Sequence, residues 1–152
     1  MNTDTPDRKI ILNGADFCAL RQLTLEIPSF RGDAMNQLGW TDEIDTFLRK
    51  LVRSAPRNID PESRVKVVLT DDLYIDAPPD RPGPTSALAA NEELVRYAPR
   101  AAAAVWPQLL AVTWDRLGAL EAFYRTGYRE PEIVAALASL TAAVSSALGT
   151  PE

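Results

Sequence analysis

Four carboxylates crowd a short stretch of this chain: Asp71, Asp72, Asp76 and Asp80. They follow a β-branched run, and carboxylates at a strand end could hold a hard cation such as Mg²⁺. A solvated loop rich in turn formers explains the same residues. The spacing misses the calcium-loop pattern, which needs a glycine at its sixth position and a glutamate at its twelfth. A second acidic group, Asp42, Glu43 and Asp45, stands at the start of an amphipathic run, where a helix N-terminus already favours negative charge. No metal and no cofactor is expected.

Nucleophilic chemistry has little to work with. The chain holds one cysteine, Cys18, and no histidine. A reactive thiol needs a base or a positive environment, and Arg21 is its one near cation in sequence. A buried structural cysteine is the simpler reading. Ser-His-Asp and Cys-His systems are excluded within the chain, and so are zinc sites built on histidine. Asn13-Gly14 lacks the further glycines and the lysine of a phosphate-binding loop.

Exposed positive charge and an aromatic meet at Arg125-Thr-Gly-Tyr-Arg129. Arg125, Tyr128 and Arg129 could hold an anion or a partner's carboxylate. Trp106, Trp114, Phe123, Tyr124 and Tyr128 could line a pocket, but at helical spacing they read first as core.

Composition bounds the rest. The 152 residues are 46% hydrophobic and 24% charged, ordinary globular usage, with a net charge of −5. That balance disfavours nucleic acid as a partner and suits a basic protein. One cysteine rules out an internal disulfide scaffold. The polar, acidic start does not read as a signal sequence, and no run of 18 apolar residues is present. The expectation is a cytoplasmic protein without membrane contact. The excess of arginine and alanine is what a GC-rich bacterial genome produces.

The elements follow from periodicity. Residues 1–8 read as a disordered tail and 9–12 as a strand, with Asn13-Gly14 after it as a turn or the start of a helix. Residues 15–24 fit a helix through Phe17, Leu20 and Leu23, although 23–27 also alternate like a strand. Thr41 caps a helix over 41–54, whose Ile44, Phe47, Leu48, Leu51 and Val52 recur at helical spacing. Residues 64–69 form a strand, with a second short strand over 73–75. Four prolines and a glycine in 77–84 mark a loop.

Beyond that loop everything reads as helical. A helix over about 85–97 uses Leu88, Leu94 and Val95, and Pro99 restarts a helix that Pro107 splits or kinks. Leu110, Trp114, Leu117, Leu120 and Tyr124 mark one continuing face as far as Arg125. Gly127 breaks the run, and Pro131 opens a last helix. There Ile133, Leu137, Leu140 and Val144 have the spacing of a bundle seam, which could pair between chains over 131–148.

Residues 9–14, Phe17, Leu20, the helix containing Ile44 and Phe47, and the valine-rich strand resemble, over about a third of the chain, the barstar-type ribonuclease inhibitors. That resemblance implies a small, acidic, non-catalytic protein that plugs a basic nuclease site. The chain departs from the pattern between its first two helices, shows no evident closing strand, and adds a large helical half.

These observations predict an α+β, helix-dominant fold. A sheet of two or three strands from 9–12 and 64–75 packs on the 41–54 helix, and a helical bundle over 85–148 packs against that layer. Residues 9–152 are expected to form one domain, divided into an α/β part (9–76), the proline-rich loop (77–84) and a helical part (85–148). The expected function is non-catalytic protein binding of immunity, antitoxin or adaptor type, through an acidic surface at Asp71, Asp72 and Asp76. Two alternatives stay open. One is a small enzyme using Asp or Tyr, with or without Mg²⁺. The other is a helical assembly subunit pairing through 131–148.

Overall fold

A computed structural model describes residues 9–30, 32–53, 55, 58–70, 87–89 and 92–148. The expected tail at 1–8, the strand at 73–75, the loop at 77–84 and the aspartates 71, 72, 76 and 80 lie outside the described residues. The fold is α+β with helix dominant, and its small mixed sheet packs against helices.

Strand β1 (Lys9–Asn13) buries Ile10 and Leu12 and turns the residues between them outward. It runs directly into helix α1 (Gly14–Thr24). The Asn13 side chain accepts the Asp16 N–H at 2.7 Å, so Asn13 is a helix cap and no hairpin forms. Gly14 sits where the chain passes hard against residues 60–63. Its N–H donates to the Ser63 carbonyl at 2.9 Å, and a Cβ there would collide with the Asp60 carbonyl and the Ser63 hydroxyl.

Pro28 lies in a single 3-10 turn (Ile27–Phe30) after α1, followed by the short helix α2 (Asp33–Gln37). Helix α3 (Asp42–Arg53) begins as its sequence predicts, with Thr41 Oγ1 accepting the Ile44 N–H at 3.1 Å. It buries Ile44, Leu48, Leu51 and Val52, and with them Asp45, whose carboxylate pairs with the more exposed Arg49 one turn on at 2.9 Å.

The two-residue strands β2 (Asn58–Ile59) and β4 (Ala87–Leu88) pair in parallel. Strand β3 (Arg64–Thr70) is the centre of the main sheet. It runs antiparallel to β1 on one side and parallel to β5 (Glu93–Pro99) on the other.

Strand β5 corrects the helix expected over 85–97. Leu94, Arg96 and Ala98 are buried while Tyr97 is exposed, a period of two rather than 3.6. Adjacent Leu94 and Val95 fit a helix locally. The second edge of β3, however, carries backbone groups that only another strand can satisfy in register. The third strand of the sheet therefore comes from 93–99, beyond the loop, and the helical part begins at Arg100.

Helix α4 (Arg100–Thr126) follows β5 at once. Pro107 sits inside it with helical backbone. The interruption falls instead at Gly118, with φ 78° and ψ 162°, a conformation an L side chain rarely adopts. The face expected from Leu110 to Tyr124 ends there. Before the break Leu110 and Thr113 are buried; after it Ala122 and Thr126 are, while Leu120 and Tyr124 are 67% and 71% exposed.

Helix α5 (Glu130–Leu148) closes the fold. Ile133, Ala136, Leu140 and Val144 are buried, with Leu137 partly so, and the helix packs on α1, α4 and β1. The seam predicted over 131–148 is thus spent inside the chain. By length and composition α5 could cross a membrane, with 22% of that span buried inside the fold. One contiguous core joins the inner sheet residues Ile10, Leu12, Val65, Val67, Leu94 and Ala98 to Phe17, Leu20, Leu48, Trp106, Leu110 and Leu140 of the helices.

Candidate interaction surface at the helical elbow

The turn between α4 and α5 is built from its own backbone. Thr126 Oγ1 donates to the Ala122 carbonyl at 2.7 Å and accepts the Tyr128 N–H at 3.1 Å. Gly127 takes the left-handed conformation (φ 83°) that ends α4, and its N–H donates to the Phe123 carbonyl at 2.9 Å. At the start of α5 the Glu132 carboxylate reaches back to accept the Arg129 N–H at 2.8 Å, one arm of a capping box. With these orphan groups satisfied, the elbow holds its side chains on a rigid frame.

Each residue singled out at this turn has a definite place. Arg125 already holds anions, and both belong to this chain. Its Nε donates to Glu121 at 2.7 Å and its Nη1 to Glu26 at 3.0 Å, which ties the end of α4 to the segment after α1. Those two carboxylates raise the pKa of the guanidinium further. The Arg129 guanidinium lies 5.9 Å from the centre of the Phe123 ring, a cation–π contact. Tyr128 turns inward and is half-buried.

Tyr128 meets the cysteine. The two side chains interact directly, and Arg21 Nη2 donates to the Cys18 sulfur at 3.8 Å. Arg21 also stands 6.0 Å from the centre of the Phe17 ring. Burial pushes the Cys18 thiol above its ordinary value, against the lowering pull of Arg21 and Tyr128. Burial pushes the Tyr128 phenol up as well, with the sulfur adding to the shift. At neutral pH the pair is a thiol beside a phenol. It can exchange hydrogen bonds, but it presents no thiolate nucleophile.

The apolar side chains of the elbow were missed in sequence. Leu120, Phe123 and Tyr124 are 67%, 38% and 71% exposed, and the two rings pack at a tilt with centres 6.1 Å apart. All three lie after Gly118 on one stretch of helix, next to Arg129. Helical spacing assigned Leu120 and Tyr124 to the core. The signal against that was the glycine inside the stripe, followed by Ala122 and Thr126, small residues at i, i+4 spacing that suit a close helix contact. Large apolar side chains grouped on the surface mark contact sites more often than isolated ones do. Tyr, Phe and Arg are the types that anchor protein interfaces.

Among the described residues no three of Cys, Asp and Glu come close enough together to hold a metal ion. No protein-family model matches the chain, and no curated protein or solved structure matches it either. The resemblance to barstar-type inhibitors rests on the quoted residues alone.

Proposed function

We propose that this protein is a non-catalytic protein-binding module of the bacterial cytoplasm, of immunity, antitoxin or adaptor type. The exposed cluster of Leu120, Phe123 and Tyr124 beside Arg129 carries the reading. A rigid elbow presents these side chains without the entropic cost of ordering a loop on binding. Each aromatic ring can bury on the order of 150–250 Å² against a partner. The chain's net charge of −5 adds long-range attraction toward a basic partner, and Asp71, Asp72 and Asp76 remain the proposed acidic contact.

The test is affinity purification from the host, comparing the native chain with Leu120→Ser/Tyr124→Ser and with charge reversal at Asp71, Asp72 and Asp76. The expected result is one specifically enriched protein. Its purified complex weakens about tenfold or more with the elbow variant, and it associates more slowly with the acidic variant. Equal binding by all three chains would overturn both surface assignments. Recovery of no specific protein would overturn the function.

A further inference from the structure

We propose that the outer face of the three-stranded sheet is a second docking surface, one that takes an amphipathic helix whose apolar stripe is flanked by carboxylates. The strand register places its residues. Lys9, Val68 and Tyr97 stand side by side across the three strands, followed by Ile11, Lys66 and Val95, and then by Arg64 beside Glu93. These positions alternate with Ile10, Leu12, Val65, Val67, Leu94 and Ala98, which face the helices. Among the described residues the outward set has no helix packed on it. Ile11 and Tyr97 are 45% and 47% exposed, and Val68 and Val95 are not among the side chains that join the core.

The face sets four apolar side chains, Ile11, Val68, Val95 and Tyr97, around Lys66 on its central strand, and its charge is opposite to that of the molecule. Among the described residues at these positions Lys9, Lys66 and Arg64 stand against one carboxylate, Glu93, in a chain whose net charge is −5. Glu93 lies 3.9 Å from Lys66 and 4.0 Å from Arg64. Pairs that long and that exposed hold little energy, so both cations can turn to a partner's carboxylates. An acidic partner is repelled by most of the protein and attracted here, which selects this face.

Size narrows the partner further. Three strands spaced about 5 Å apart give a platform about 10 Å wide, the width of one α-helix with its side chains. A second copy meeting the face across a two-fold axis would set cations against cations. A polynucleotide would gain from only this small basic patch and be repelled by the rest of the chain.

The test is an NMR titration of the full chain with a short helical peptide bearing a leucine stripe flanked by glutamates. Controls are the same peptide with lysines for glutamates, an oligothymidylate, and dilution of the protein alone. Saturable shifts are expected at Ile11, Lys66, Val68, Val95 and Tyr97 with the glutamate peptide, weakening as salt is raised. Lys9→Glu and, separately, Tyr97→Ser should each weaken binding about tenfold while moving the thermal melt by no more than about 4 °C, and Leu120→Ser/Tyr124→Ser should leave binding of the peptide unchanged. The proposal fails if the glutamate peptide leaves the sheet unshifted, if the lysine peptide binds the face as well, or if the oligonucleotide does. Shifts on this face that come and go with protein concentration would overturn it in favour of self-association.

Discussion

The indole N–H of Trp106 donates to the Thr24 hydroxyl at 2.9 Å, across 82 residues of sequence and wholly inside the core. Thr24 passes its own proton to the Leu20 carbonyl at 2.6 Å. One buried hydroxyl thus satisfies the largest fully buried side chain of α4 from the last turn of α1. The contact sets the rotation on α1 of the part of α4 that precedes Gly118.

Thr24→Val keeps the shape of that site and removes the acceptor. The Trp106 N–H is then buried without a partner, a cost of about 1–3 kcal/mol. Trp106→Phe in the Thr24→Val background should cost less than the two single changes added together, because the orphaned donor is gone. Urea denaturation of the four chains measures this, and strict additivity would mean that the bond contributes nothing.

Gly14 is fixed by space. Its Cβ position is occupied by the Asp60 carbonyl and the Ser63 hydroxyl, and backbone cannot step aside as a side-chain tip can. Gly14→Ala should destabilise the protein by about 1–3 kcal/mol, as overpacking does. It should also loosen the Gly14–Ser63 backbone bond. Hydrogen exchange at Gly14 and Ala15, with the denaturation midpoint, reports both; an unchanged midpoint would show that the 60–63 turn gives way freely.

Strand β5 makes a prediction that separates it from the helix its sequence suggests. In the strand Leu94 points into the core and Tyr97 out of it. Leu94→Ala should cost about 2–5 kcal/mol, whereas Tyr97→Ala should stay within about 1 kcal/mol, as surface changes do. A helix over these residues would place positions three apart on one face and make the two costs alike. Chemical denaturation of both variants decides.

What was legible and what was not divides along the range of the forces involved. Residues 9–13, 14–24, 42–53 and 64–70 carry their own signals: alternation in the strands, a cap at Thr41, and spaced apolar residues in the helices, whereas Asn13, readable as a turn, is a cap in the fold. Strand β5 carries none as strong, because its state is set by pairing with β3, about thirty residues earlier. At Gly118 a single left-handed residue turns the buried stripe from Leu110 and Thr113 to Ala122 and Thr126. Periodicity has no means of sensing such a turn, so it carried Leu120 and Tyr124 into the core and hid the elbow. Arg125, Tyr128 and Arg129 were found as a cluster by composition. Their partners, Glu26, Cys18 and the Phe123 ring, are mostly brought to them by tertiary packing.

The burial of Cys18 and Tyr128 makes stability fall on the alkaline side. Burial raises both groups above their ordinary values. In the window between the unfolded and folded pKa values the folded chain therefore binds more protons than the unfolded one. Stability falls with rising pH wherever the folded state holds the extra protons. The contribution is fully present at neutral pH and is lost from about pH 8.5 upward, where an unfolded thiol begins to ionise. Cys18→Ala should flatten the first part of that decline in denaturation midpoints measured across the alkaline range. The rate at which native Cys18 reacts with a chromogenic disulfide should rise with a midpoint above that of the urea-unfolded chain. A native midpoint at or below the unfolded one would mean that Arg21 and Tyr128 outweigh burial, and that the thiol is activated after all.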